Sequence, residues 1–159
     1  MNQRPRSTAR VLAAAEAAGL AIQILDMPQS TRTAAEAAAA CGCSVAQIVK
    51  SLIFRKAASG EPILILVSGK NRVDESKIRA VIGDALQRVD ADAVRELTGF
   101  SIGGVAPFGS LTPLATFMDS DLMGFQMVWA AAGGPTAVFS IQPGALAKAT
   151  KAEIVKVSS

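Results

Sequence analysis

No histidine and no tyrosine occur in the 159 residues, and tryptophan appears once. Without histidine the chain cannot build Ser-His-Asp or Cys-His catalysis, a His-ligated zinc or an imidazole general base. Proton transfer near neutral pH then falls to other groups or to the substrate itself. Cysteine is almost as scarce. Cys41 and Cys43 form a lone Cys-x-Cys, too few ligands for a structural zinc, so they read as two thiols near a helix end in a reducing compartment, or as a redox pair. Long apolar runs are missing too. Half the residues are hydrophobic, but 30 of them are alanine, and a stretch such as 127–132 falls far short of the roughly 20 residues of a membrane span. A soluble, cytoplasmic protein with no membrane partner is expected.

The charge is mildly basic, 16 Lys and Arg against 13 Asp and Glu, which permits an anionic partner without establishing one. With six Phe and one Trp, no aromatic platform for single-stranded nucleic acid stands out, and no DNA partner is expected. Arg4, Arg6 and Arg10 precede the apolar run 11–15, the start of a leader or an organelle transit peptide. Glu16 interrupts that run, which argues against a secretory signal, so an ordinary amphipathic first helix is expected, with an organelle transit peptide as the alternative.

Periodicity and capping signals predict a helix over 7–18 with Ser7 or Thr8 as its cap and Leu12, Ala15 and Ala18 or Gly19 on one stripe. A short strand over 22–25 and a turn over 26–30 come next. Thr33 and Glu36 have capping-box spacing for an Ala-rich helix closed by Gly42, and Ser44 can cap a short helix to Ile48. Residues 49–54 and 63–67 predict a hairpin whose second strand, apolar on both faces, lies inside the sheet. Asp74 and Asp90 suit as caps of helices to Ile82 and Leu97. A Gly- and Pro-rich stretch, 98–113, precedes strands near 114–118, 125–131 and 136–141. Pro143 opens a helix to Ala149, and 154–157 predict a last strand. With no repeat or linker, residues 1–159 read as one α/β domain with a mixed sheet.

Three features could carry chemistry. Lys50 and Ser51 sit at one end of an otherwise apolar strand, on opposite faces; Lys50 reads either as a snorkelling surface lysine or as a cation at a pocket rim. The glycines of 98–109 either bring main-chain groups close to a ligand or permit tight turns; neither a Walker loop nor a dinucleotide fingerprint is present. Lys70, Arg72, Lys77 and Arg79, with Arg55 and Lys56 before them, either meet a phosphate backbone or form a solvated face, since Asp74, Glu75 and Asp84 are interspersed.

Together, residues 33–38, 48–54, 69–77 and 98–107, in this order, resemble the YbaK/ProX aminoacyl-tRNA editing family, relatives of the editing domain inserted in bacterial prolyl-tRNA synthetase. The resemblance covers nearly all the chain after Leu20. It implies an α/β fold with a curved mixed sheet and surrounding helices, and hydrolysis of the ester joining a wrong amino acid to tRNA. It implies further that Lys50 is the signature lysine, with Ser51 beside it, and that Gly103, Gly104 and Pro107 belong to a Gly-x-x-x-Pro loop around the aminoacyl-adenosine end. Ala131, Ala132 and Gly133 fall at a small-residue turn lining the substrate pocket. Relatives that deacylate Cys-tRNA carry a hydroxyl near Ala131 and a carboxylate near Val138. This chain has neither, so a small amino acid of unspecified identity is expected.

Such a site suits a chain without histidine. A ribose ester has a neighbouring hydroxyl that can assist water, while Lys50 and main-chain groups orient the substrate and stabilise developing charge. No cofactor and no metal are expected. The partners implied are the aminoacyl-tRNA acceptor end and a synthetase. Two other readings stay open: a non-catalytic module of the same fold that binds tRNA or a synthetase, and a thiol sensor using Cys41 and Cys43.

Overall fold

Side-chain caps start three of the helices. Thr33 accepts the Glu36 N–H at 3.1 Å at the head of α2 (Ala34–Cys41), Asp74 accepts the Ser76 and Lys77 N–H groups of α3 (Glu75–Ile82), and Asp90 accepts the Ala93 N–H of α4 (Ala91–Thr98). Each satisfies a main-chain donor that has no partner within its helix. The Thr33 hydroxyl in turn donates to the Glu36 carboxylate at 3.1 Å. α5 (Pro143–Thr150) opens on its proline.

The structure, a computed structural model, describes residues 6–158. Arg4 lies outside them. α1 (Arg6–Ala17) begins where the description begins, and Ser7 and Thr8 lie within it rather than capping it. Ser7 instead donates to the Gly133 carbonyl at 2.6 Å, and Thr8 is buried. The buried stripe is Thr8, Val11 and Ala15. Arg10 ties α1 to the Gly- and Pro-rich segment, donating to the Gly99 and Gly109 carbonyls and standing over the Phe100 ring.

The strands are β1 (Leu25–Asp26), β2 (Ile48–Lys56), β3 (Pro62–Ser68), β4 (Leu86–Arg88), β5 (Ala115–Asp119), β6 (Val128–Ala131), β7 (Ala137–Ile141) and β8 (Glu153–Val155). They form one mixed sheet in the order β1-β7-β6-β2-β3-β5-β8, with β4 attached to β2. β3 divides the core. Leu64 and Leu66 join the larger cluster with Val11, Val94 and Leu146 of α1, α4 and α5, while Ile63, Ile65 and Val67 meet Ile78 of α3 on the opposite face. Ala37 and Ala38 of α2 cover Ile48 beside that second cluster.

Several strands differ from expectation for reasons the pairing explains. Within 22–26 only Leu25 and Asp26 reach β7, and Ile24 is held by burial in the core. β6 starts at Val128 because the chain leaves the 3-10 turn Ser120–Gly124, capped by Asp119, through a bend and meets β7 only from Val128, opposite Ile141. β8 starts one residue earlier than expected and ends two earlier, parallel to β5. β4, unforeseen, is short, and two of its three residues are exposed.

Candidate functional site

Along one edge β2 pairs with β3 from Val49 to Arg55. Its other edge is paired in two pieces, Ile48 and Val49 with β6 and Phe54 to Lys56 with β4. Residues 50–53 between them have no second strand. Gly69 N–H bonds to the Ile48 carbonyl at 2.7 Å and Lys56 N–H to the Glu61 carbonyl at 2.8 Å, so the even-numbered residues of β2 direct their main-chain groups toward β3. The alternation of an antiparallel ladder then turns the N–H and C=O of Ser51 and Ile53 into the gap.

A cavity of about 710 Å³ opens there, and Lys50, Ser51, Ile53, Gly103 and Ala131 line it. Register explains the meeting. Trp129 stands beside Ile48 in the parallel pair β2–β6, and two residues further along each strand bring Lys50 beside Ala131 on the same face. Ala131 in turn faces Val138 across β6 and β7. The Lys50 ammonium donates to the Asn71 carbonyl. Burial, and then the Arg72 guanidinium, hold its pKa below the usual lysine value, and Asp119 opposes them. The Ser51 hydroxyl is the one buried side-chain polar atom without a hydrogen-bond partner among the described residues. Such an unmade bond costs about 1–3 kcal/mol, and a bound ligand group could remove that cost.

The glycine loop contributes unevenly. Gly103 has φ +89°, and a Cβ there would stand 2.9 Å from Arg32 Cγ, so glycine lets this turn lie against Arg32 at the rim. Gly104 and Pro107 are buried behind it and do not line the cavity. A Cβ on Gly104 would meet Gly134 N at 3.1 Å, so it spaces the two loops. Gly133 packs on Ser7 and Phe100. Strand alternation separates the two alanines: Ala131 faces the cavity, whereas Ala132 is fully buried in the larger core.

The basic residues also divide. Arg72 lines the cavity, but Lys70 and Arg79 are exposed elsewhere and the Lys77 ammonium donates to the Ser158 carbonyl at 2.7 Å. Lys56 pairs with Glu61, and Arg55 donates to the Gly60 carbonyl. Two cavity arginines, Arg32 and Arg88, carried no signal in the sequence; Arg88 arrives with β4 and lies 3.9 Å from Glu75. Among the described residues no group of three or more Cys, Asp or Glu converges as a metal site, and no helix is long and apolar enough to cross a membrane.

Cys41 and Cys43 are free thiols outside the cavity lining. Burial and the neighbouring Cys43 push the Cys41 thiol up to about 11, and burial raises Cys43 as well. Both stay protonated at neutral pH, where a thiol is a poor nucleophile. The double variant Cys41→Ser, Cys43→Ser should therefore keep its activity within about twofold of the parent. Initial rates with and without a thiol-alkylating reagent check this, and a large loss in a folded variant would restore the thiol reading.

The sequence profile of the aminoacyl-tRNA editing domain family matches residues 28–149. The uncharacterized protein YwhH of Bacillus subtilis (strain 168) is 32% identical over 125 residues, 79% of each chain. A proline–tRNA ligase of Nitratidesulfovibrio vulgaris (strain DP4) is 33% identical over 93 residues, which are 58% of this chain but only 16% of the ligase. A crystal structure of a proposed trans-editing enzyme for prolyl tRNA synthetase superposes with a TM-score of 0.92 at 44% identity, covering 99% of both chains.

Proposed function

This chain belongs to the aminoacyl-tRNA editing domain family, and on that premise we propose that it is a trans-editing hydrolase that cleaves the ester of mischarged tRNA carrying a small amino acid. One observation carries the reading: a single cavity gathers a half-buried cation, an open strand edge and a carbon-only wall, with Lys50, Ser51 and Ala131 as their residues. Such a set suits ester hydrolysis without an enzymic nucleophile, with the wall selecting the acyl group. The neighbouring ribose hydroxyl assists water, the main-chain N–H groups turned into the gap orient the aminoacyl end, and Lys50 stabilises the charge that develops on it.

Arg32, Arg72 and Arg88 at the rim suit the phosphates of an acceptor end, because guanidinium groups bind phosphate oxygens in pairs. Lys70 and Arg79, exposed nearby in sequence, are assigned to more distant backbone contacts. Ala131 and Val138, facing each other, offer carbon alone, which favours a small apolar side chain over a hydroxyl or thiol needing a partner.

The test is release of labelled amino acid from alanyl-, 2-aminobutyryl-, seryl- and cysteinyl-tRNA. Faster release than the uncatalysed rate, greatest for the apolar pair, is expected. Tight tRNA binding with no release from any substrate would replace hydrolysis with the binding-module reading.

A further inference from the structure

Asp119 is the only ionisable side chain among the buried residues described, 1% exposed at the end of β5. Burying a carboxylate costs several kcal/mol unless hydrogen bonds compensate it, and here three donors converge. The Ser68 N–H reaches it at 3.0 Å, the Asn71 side-chain amide at 2.9 Å and the Asp121 N–H at 3.0 Å. The same Asn71 amide donates to Asp121 at 2.7 Å.

These bonds hold one turn. Asn71 N–H closes it on the Ser68 carbonyl at 2.9 Å, and the Ser68 hydroxyl anchors it to the Ala46 carbonyl at 2.6 Å. Gly69 lets it sit there, since a Cβ would lie 2.3 Å from the Val45 carbonyl oxygen. The turn ends on the Asn71 carbonyl, which receives the Lys50 ammonium. A hydrophobic residue at 119 could neither accept the Ser68 N–H nor grip Asn71.

We propose that Asp119 and Asn71 form a clamp that aims the Lys50 ammonium into the cavity, so that both are positioning residues for the editing reaction. The inference rests on the role proposed for Lys50. Charge supports the geometry. Arg32, Arg72 and Arg88 share the cavity with Lys50, balanced there by Glu75 alone. Asp119 favours the ammonium form against burial and Arg72, and Asp121 stands with it behind Asn71.

The experiment compares Asn71→Ala, Asp119→Asn, Lys50→Ala and the double variant Lys50→Ala, Asn71→Ala. It reads kcat and KM on mischarged tRNA, thermal melting, and the NMR titration of 13C-labelled lysine side chains, with the Lys50 signal assigned by its loss in Lys50→Ala. Asn71→Ala is expected to lower kcat by about tenfold to a hundredfold, with KM within about twofold. The Lys50 signal should move in both single variants and titrate at lower pH in Asp119→Asn. The double variant should be no slower than Lys50→Ala, because both changes remove one device. An unchanged kcat in folded Asn71→Ala, multiplying losses in the double variant, or an unmoved Lys50 signal would each overturn the clamp. If Asp119→Asn fails to fold, Asn71→Ala decides. If Lys50→Ala hydrolyses at the parent's rate, the role of Lys50 falls, and the Lys50 signal alone decides whether the clamp exists.

Discussion

Lys50→Ala is expected to lower deacylation by about a hundredfold or more, the effect of deleting one preorganised donor to a developing negative charge. The fold should survive. Lys50 is half-buried and makes one hydrogen bond, to the Asn71 carbonyl, so its loss should cost about 1 kcal/mol, or roughly 2–4 °C of melting temperature in a chain of this size. The parent's pH profile gives an independent check. Burial and Arg72 lower the Lys50 pKa, so the ammonium is lost at lower pH than for an exposed lysine. Enzymic turnover, corrected for spontaneous hydrolysis, should fall on the alkaline side below the range of free lysine. Near-normal turnover in a folded Lys50→Ala protein would remove Lys50 from the mechanism.

Ala131→Leu and Ala132→Leu should separate selectivity from stability. Ala131 lines the cavity between Lys50 and Val138, so three added carbons there should exclude the bulkier acyl groups first. A fit that differs by one methylene is worth about 1–3 kcal/mol, or roughly tenfold to two-hundredfold. Hydrolysis of 2-aminobutyryl-tRNA should therefore fall by about that factor more than hydrolysis of alanyl-tRNA. Ala132 is fully buried in the larger core. Leucine there overpacks the sheet against its helices, costing about 1–3 kcal/mol, and should lower melting with no change in the ratio of the two rates. Initial rates on both substrates, beside melting curves for both variants, read the outcome. Equal losses on both substrates in Ala131→Leu would place this wall outside the selectivity pocket.

Local signals in this sequence were legible where the physics is local. Thr33, Asp74 and Asp90 cap helices because a short polar side chain followed by helix formers satisfies its own neighbouring N–H groups. The run Ile63 to Val67 declares an interior strand because apolar residues on both faces need cover on both. Ser7 deceived for a related reason: a hydroxyl can cap a helix or bond to a distant carbonyl, and here the Gly133 carbonyl takes it. β4 gave no pattern because its partner, the end of β2, supplies what its own residues lack.

By itself, then, the sequence determined most helix starts, the central hairpin, the absence of histidine chemistry and the polar pair Lys50 and Ser51. It also determined, through strand period, that these two side chains point to opposite faces. Only the tertiary structure decided that both residues still line one cavity. β6 and β4 cover the two ends of β2 and leave its middle edge open, so the chain can be reached there from either face. The tertiary structure likewise decided that Arg32 and Arg88 reach the cavity and that Asp119 stands behind Asn71, since all come from separate segments. Their meeting depends on long-range strand pairing, and neither propensity nor spacing along the chain encodes which distant strands will share an edge.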